Sequence, residues 1–233
     1  MKERSFEDAI HTIRKLDKKT ENERASRLQE RGVVFWSAVE RPTSQRMSDY
    51  STEAAMNYVN GCYRSCIFCC SAAVDQIFRH EIILGSNNPE ETMDQIRGKS
   101  FGKILSLAEK VERLQCFLGD ARRLNKLRNK IAVHPLCFWP FEDNETMINE
   151  IIIQDLKNII AVADDEDATM IEQSFIFRVD GRKLVLADVL RDPKTLEASD
   201  LLMWRIDNDI LKPLALKASQ IMAGIIEGLY PAE

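Results

Sequence analysis

Residues 57–82 read NYVNGCYRSCIFCCSAAVDQIFRHEI, and the middle of this stretch, CIFCCSAAV (residues 66–74), decides the fold class. A surface helix carries one apolar stripe, whereas a helix that is apolar on nearly every face is wrapped by others. The spacing predicts one long buried helix that opens at Ser51-Thr52-Glu53 and runs to about Ile83. A chain built around such an element is expected to be mainly α, a helical bundle.

Working outward, Phe6, Ala9, Ile10, Ile13 and Leu16 recur at helical intervals, and residues 18–32 are charged enough to be a solvated helix or a linker. GVVFWSAVERP (residues 32–42) is an apolar patch closed by Pro42, readable as a strand or as a helical turn. Downstream, GSNNPEE (residues 85–91) reads as a turn into a second helix. A third helix is expected from about Val111 to Val133, and another from about Ile148 to Val162, ending at the acidic loop ADDEDA. In SFIFRVDGRKLVLADVL (residues 174–190), Asp180-Gly181 separates two apolar runs, the pattern of a tight β-hairpin. A last helical region from about Ala198 to Leu229 is expected to bend at Pro213. The organisation that follows is an N-terminal helical extension over 1–50, a helical bundle over 51–163, and a hairpin with C-terminal helices packing on the bundle over 164–233.

With 233 residues, 45% hydrophobic and 30% charged, the chain can bury a core without disulfides or a metal. Its net charge of −5 excludes binding to polyanions by bulk charge, so any nucleic-acid contact needs a local basic patch. No apolar run approaches the roughly 20 residues that span a bilayer. The N-terminus, MKERSFEDAIHTIRKLDKK, lacks the apolar core of a signal peptide. A cytoplasmic protein with no membrane contact is expected, and the six cysteines then read as free thiols.

RRLNKLRNKIAVHPLCFWP (residues 122–140) holds five basic residues and no acid before its histidine. On a helical wheel Leu114, Phe117, Ala121, Leu124, Ile131 and Ala132 form one stripe, and Arg128 sits near its middle. A guanidinium keeps its charge, so Arg128 requires an acidic partner, a wet cleft or an anion from outside. Pro135 pushes His134 out of the α region, which ends the helix at about Val133 and frees His134 to swing toward the cleft that Arg128 faces, or toward the equivalent cleft of a second copy. The plainer reading makes His134 a helix C-terminal residue and Arg128 a core ion pair.

The remaining chemistry-bearing residues have structural readings beside sharper ones. Cys62, Cys66, Cys69 and Cys70 share one helix, and a tetrahedral site seldom takes all its ligands from one helix, so packing is expected and no metal or cofactor. His80 suits the C-terminal end of its helix. Asp75 is spaced for an i,i+4 pair with Arg79, or alternatively restrains Arg128 as its buried partner. Phe138 and Trp139 read as loop anchors or as stacking platforms for bases. The run Asp164-Asp165-Glu166-Asp167 reads as a solvated loop. No glycine-rich phosphate loop, nucleophile elbow or zinc-protease motif is present.

Arg128-Asn129-Lys130-Ile131-Ala132-Val133-His134 resembles the R-polar-x4-H signature of the HEPN superfamily. The helix quoted first is similar to the first long helix of those domains, with Tyr58, Gly61, Cys62 and Tyr63 at its start and Asp75 and Arg79 near its end. The resemblance covers residues 51–140. It implies a helical bundle that dimerises, and in many members a metal-independent endoribonuclease whose arginine and histidine meet at a composite cleft. Other members are non-catalytic modules that bind RNA, a nucleotide or a protein.

The residue types suit that chemistry on their own. RNA carries its own nucleophile, the 2′-OH. Histidine moves protons near neutral pH, and arginine holds charge developing on a phosphoryl group. The implied roles are His134 as general acid/base, Arg128 as phosphate clamp, and Asn129 as a residue that orients the histidine or contacts the phosphate. Asp75 supports Arg128, and Arg122, Arg123, Lys126 and Lys130 guide the RNA backbone. RNA, a second copy and a regulatory protein are the partners implied, in defence or stress. Toxin-type relatives carry a tyrosine two residues after the histidine that a partner nucleotidyltransferase modifies. Leu136 stands there, which argues against that form of control.

Overall fold

The structure, a computed structural model, describes residues 17–29, 45–129, 176–179, 182–185 and 211–231, with residues 11, 14 and 15. The described chain is mainly helical. Residues 17–29 form α1. Five further helices follow: α2 (Gln45–Val59), α3 (Tyr63–Leu84), α4 (Pro89–Ile96), α5 (Phe101–Ala108) and α6 (Leu118–Leu127). A 3-10 turn (Glu112–Phe117) precedes α6, and α7 (Lys212–Leu229) lies near the C-terminus. Two four-residue segments, β1 (Ile176–Val179) and β2 (Arg182–Val185), pair antiparallel, with Val179 opposite Arg182. The predicted helix over 148–162, the patch over 32–42 and the acidic loop lie outside the described residues.

The long central helix expected over 51–83 is two helices. Its first part begins earlier, at Gln45, and ends at Val59, and α3 begins at Tyr63. Gly61 makes the break with φ +79, a left-handed conformation that only glycine adopts without cost. The buried rings of Tyr58 and Tyr63 face each other across it at 5.6 Å. Arg27 of α1 donates to the Val59 carbonyl at 3.0 Å, satisfying an orphan acceptor at the end of α2, and lies over the Tyr63 ring.

From Tyr63 onward α3 is the central helix that the apolar run predicts, packed against α2, α4, α5, α6 and α7. Cys66, Ile67, Cys69, Cys70, Ala73, Val74, Ile77 and Phe78 are buried along it. Small residues at 66 and 70 let α7 approach closely, and α7 answers with Ala215 and Ser219. The Ser219 hydroxyl lies 3.6 Å from Cys66 Sγ and 3.8 Å from Cys70 Sγ, and its proton goes to the Ala215 carbonyl at 2.8 Å. Phe78 meets Phe101 of α5 edge-on at 6.2 Å.

The second predicted helix is also two. Asn88 caps α4, accepting from the Glu91 amide at 3.4 Å, and Pro89 occupies the first turn, where its missing N–H costs nothing. Gly98, at φ +70, then turns the chain into α5. Pro213 sits likewise in the first turn of α7, and the part of the expected helical region before residue 211 lies outside the described residues.

Gly228 has a packing reason. A Cβ there would lie 2.5 Å from Cζ and 2.8 Å from Cε1 of Phe117, a partly buried ring that would have to shift. Overpacking of this kind costs about 1–3 kcal/mol, against about 1 kcal/mol gained in helix propensity. Gly228→Ala is therefore expected to lower the melting temperature by a few degrees, and Phe117→Leu in the same chain to restore it. A Gly228→Ala chain as stable as wild type would show that the ring moves freely.

Candidate functional site

Helix α6 carries the residues singled out in the sequence. Leu118, Ala121, Leu124 and Leu127 are buried. This stripe differs from the expected one because α-helical geometry starts only at Leu118, after the 3-10 turn, and Leu118 and Leu127 belong to it. Asp120 in the first turn and Lys126 in the last complement the helix dipole. Arg128 then falls at the edge of the stripe, half-buried, where the chain widens into a π turn at Arg128–Asn129, a local geometry often found at functional sites.

The Arg128 guanidinium lies 5.6 Å from the centre of the Phe68 ring on α3, a cation–π contact. Among the described residues no carboxylate lies within ion-pair distance of Arg128. Asp75 is bound by Arg79 instead, with Nε donating to Oδ1 at 3.0 Å, so the i,i+4 pair forms. Arg79 also donates to the carbonyls of Ile96 and Lys99 at 2.9 and 2.5 Å, pinning the α4–α5 turn to α3. Burial raises the Asp75 pKa, and Arg79, followed by the nearby Arg128 charge, opposes that rise. Arg128 is thus close enough to act on Asp75 electrostatically without being bonded to it. Lys130 and His134 lie outside the described residues.

The polar side of α6 faces α5 across a cleft of about 330 Å³. Gly102, Leu105 and Ser106 line it from α5, and Arg122, Asn125, Lys126 and Asn129 from α6. The α6 residues fall three and four apart and so share one face. Asn129 Nδ2 donates to Asn125 Oδ1 at 3.5 Å. Glu109 holds Arg122 at the rim through an ion pair. No acid lies within ion-pair distance of Lys126 among the described residues. Arg123 is half-buried and does not line the cleft. Of the seven α6 and loop residues expected to act together, three (Arg122, Lys126 and Asn129) share this cleft, and Arg128 turns to the α3 side.

A second polar cluster lies on α3. Glu81 is 3% exposed, yet Arg113 Nη1 lies 3.0 Å from Oε2 and the Tyr230 hydroxyl donates to Oε1 at 2.7 Å. His80 Nδ1 is 3.7 Å from Glu81 Oε1 and 3.4 Å from the Tyr230 oxygen. Arg113 also donates to the Leu229 carbonyl and lies over the Tyr230 ring. Burial and the Glu81 carboxylate hold the Tyr230 hydroxyl well above its ordinary value. His80, near the C-terminal end of α3, makes its polar contacts with this cluster.

Three of the five described cysteines, Cys66, Cys69 and Cys70, are packed thiols, and Cys62 and Cys116 are exposed. Among the described residues no group of histidine, cysteine or acidic side chains is placed to hold a metal. Burial, with Glu53 Oε2 3.6 Å away, pushes the Cys69 thiol from 9.0 up to about 12. The folded chain keeps this proton where the unfolded chain loses it. The stability it contributes is full below about pH 9 and is lost as pH rises toward about 12. Since the thiolate is the nucleophile, iodoacetamide on the native protein should label Cys62 and Cys116 well before Cys66, Cys69 and Cys70, as read by peptide mass. Early labelling of Cys69 would contradict this packing.

No helix among the described residues is long and apolar enough to cross a membrane. Comparison of the chain with protein-family models, curated proteins and solved structures finds no match.

Proposed function

We propose that the chain is a HEPN-like, metal-independent endoribonuclease acting as a homodimer in the cytoplasm, in defence or stress. The observation that carries the reading is Arg128. It is half-buried beside an apolar stripe, with Phe68 under it and no carboxylate bonded to it among the described residues. A guanidinium in that setting has donors left for an anion, and a phosphodiester matches its fork. The cleft on the other side of α6 adds Arg122, Lys126 and Asn129 to the same short segment.

In the reaction, the 2′-OH of one nucleotide attacks its own 3′-phosphorus. His134 takes the hydroxyl proton, and the partner copy's equivalent group protonates the departing 5′-oxygen. Arg128 holds the charge that builds on the non-bridging oxygens. The products are a 2′,3′-cyclic phosphate and a 5′-hydroxyl. The net charge of −5 favours a second reading, a non-catalytic dimeric module of the same kind that binds RNA, a nucleotide or a protein.

The test is incubation of the wild type with a mixed pool of structured and single-stranded RNA in EDTA. Fragments whose 3′ ends resist ligation and phosphatase are expected. Intact RNA after incubation with folded protein would overturn the nuclease reading in favour of the binding module.

A further inference from the structure

The cleft between α5 and α6 has more in it than a phosphate track requires. A backbone track needs cations on a surface. Here the two cations share the lining with two side-chain amides, Asn125 and Asn129, and with Leu105, which is 3% exposed, and Gly102 leaves the α5 wall without a side chain. Asn129 and Asn125 are joined amide to amide at 3.5 Å, so each keeps hydrogen-bonding capacity for a third group. A volume of about 330 Å³ is ample for one planar base.

From this we infer that the α5–α6 cleft is a base-specificity subsite that takes one unpaired adenine of an RNA strand. This rests on the reading of α6 as an RNA-binding face. The sugar-phosphate lies along Lys126 and Arg122 at the rim, and the base enters over Leu105. An asparagine amide sets a donor and an acceptor side by side, which matches the adjacent N6 donor and ring-nitrogen acceptor of adenine; cytosine presents the same pair through N4 and N3, and the choice of adenine rests on its larger ring filling more of the cleft. RNA is read mainly through such splayed, unpaired bases. Guanine presents two acceptors on the corresponding edge, which two cations satisfy better than an amide does. Of the two cations here, Arg122 is engaged by Glu109.

The test uses binding, not cleavage. Pentanucleotides of the form UUXUU with 2′-fluoro sugars cannot be cut by 2′-OH attack, and their affinity for the full chain is read by fluorescence anisotropy. With X as adenine, binding is expected about five- to tenfold tighter than with cytosine, uracil or guanine, the effect of one good amide–base contact. Asn125→Ala should erase the preference and leave the common affinity largely in place. Gly102→Leu fills the cleft while improving helix propensity at an exposed position, so it should fold and show the same loss. Glu109→Gln, which releases Arg122, should tighten all four pentamers without changing their order. Binding without base preference, or a preference that survives both Asn125→Ala and Gly102→Leu, would overturn the subsite and leave the RNA-binding reading standing. No binding of any pentamer would overturn both.

Discussion

Arg113→Ala is expected to destabilise the protein by about 3 kcal/mol, toward the lower end of what removing one partner of a buried ion pair costs. The reason lies with Glu81 more than with Arg113. Arg113 is 53% exposed and solvates well on its own, whereas Glu81 is 3% exposed and has one polar contact on each oxygen. Removing Arg113 leaves a buried carboxylate with a tyrosine hydroxyl and a half-exposed histidine 3.7 Å away. It also leaves the Leu229 carbonyl, at the end of α7, without the cation that the helix terminus favours. The variants should rank accordingly. Tyr230→Phe removes one hydrogen bond to a charged group and should cost about 1.5–2 kcal/mol. Glu81→Gln removes the charge and keeps an acceptor, and should cost least. For a chain of this length a 3 kcal/mol loss corresponds to a drop of about 6–12 °C in melting temperature. Urea midpoints measured with all three variants check the order. A loss below about 1 kcal/mol for Arg113→Ala would mean that water reaches Glu81 when the guanidinium leaves.

That cluster also shows where the sequence stops being informative. Glu81 follows Val74, Ile77 and Phe78 on the buried stripe of α3, so the argument that picks out Arg128, a charge among apolar neighbours, applies equally to Glu81. Its partners carry no such mark. Arg113 lies 32 residues away and Tyr230 lies 149 away, and neither spacing has a period. The central helix was legible because CIFCCSAAV is apolar all round. Its division at Gly61 was not, because the apolar pattern continues across the break and a lone glycine inside a helical pattern is usually tolerated. What divides the helices is a left-handed φ and an arginine from α1 closing the end of α2, a contact across 32 residues. The α5–α6 cleft was half legible. Arg122, Lys126 and Asn129 stand out as polar residues on one helix face, but the α5 wall is a glycine, a serine and a leucine that say nothing by themselves. The displaced stripe on α6 has a similar cause. A 3-10 turn advances about 120° per residue and an α-helix about 100°, so a wheel drawn through both drifts.

The largest functional effect is expected at His134. His134→Ala should lower RNA cleavage by about a thousandfold, within the range that general acid–base catalysis contributes. The proposed reaction must move two protons, one off the 2′-OH and one onto the leaving oxygen, and no other side chain of the R-polar-x4-H segment titrates near neutral pH. Arg128→Lys is the informative companion. It keeps the charge but loses the planar fork, and it weakens the seat over Phe68, where a flat guanidinium packs better than an ammonium. It should cost about a hundredfold, the scale of losing one donor to developing charge, with substrate affinity changed far less. The pH profiles separate the roles. The rate with Arg128→Lys should keep the shape of the wild-type profile at a lower level, because the proton carrier is intact. The residual rate with His134→Ala should lose the limb that reports the imidazole. Both variants must elute as the wild-type oligomer for the comparison to hold. Equal low rates in wild type and His134→Ala would identify a contaminating nuclease. A fully active His134→Ala would remove the histidine from the chemistry and leave Arg128 as a binding residue.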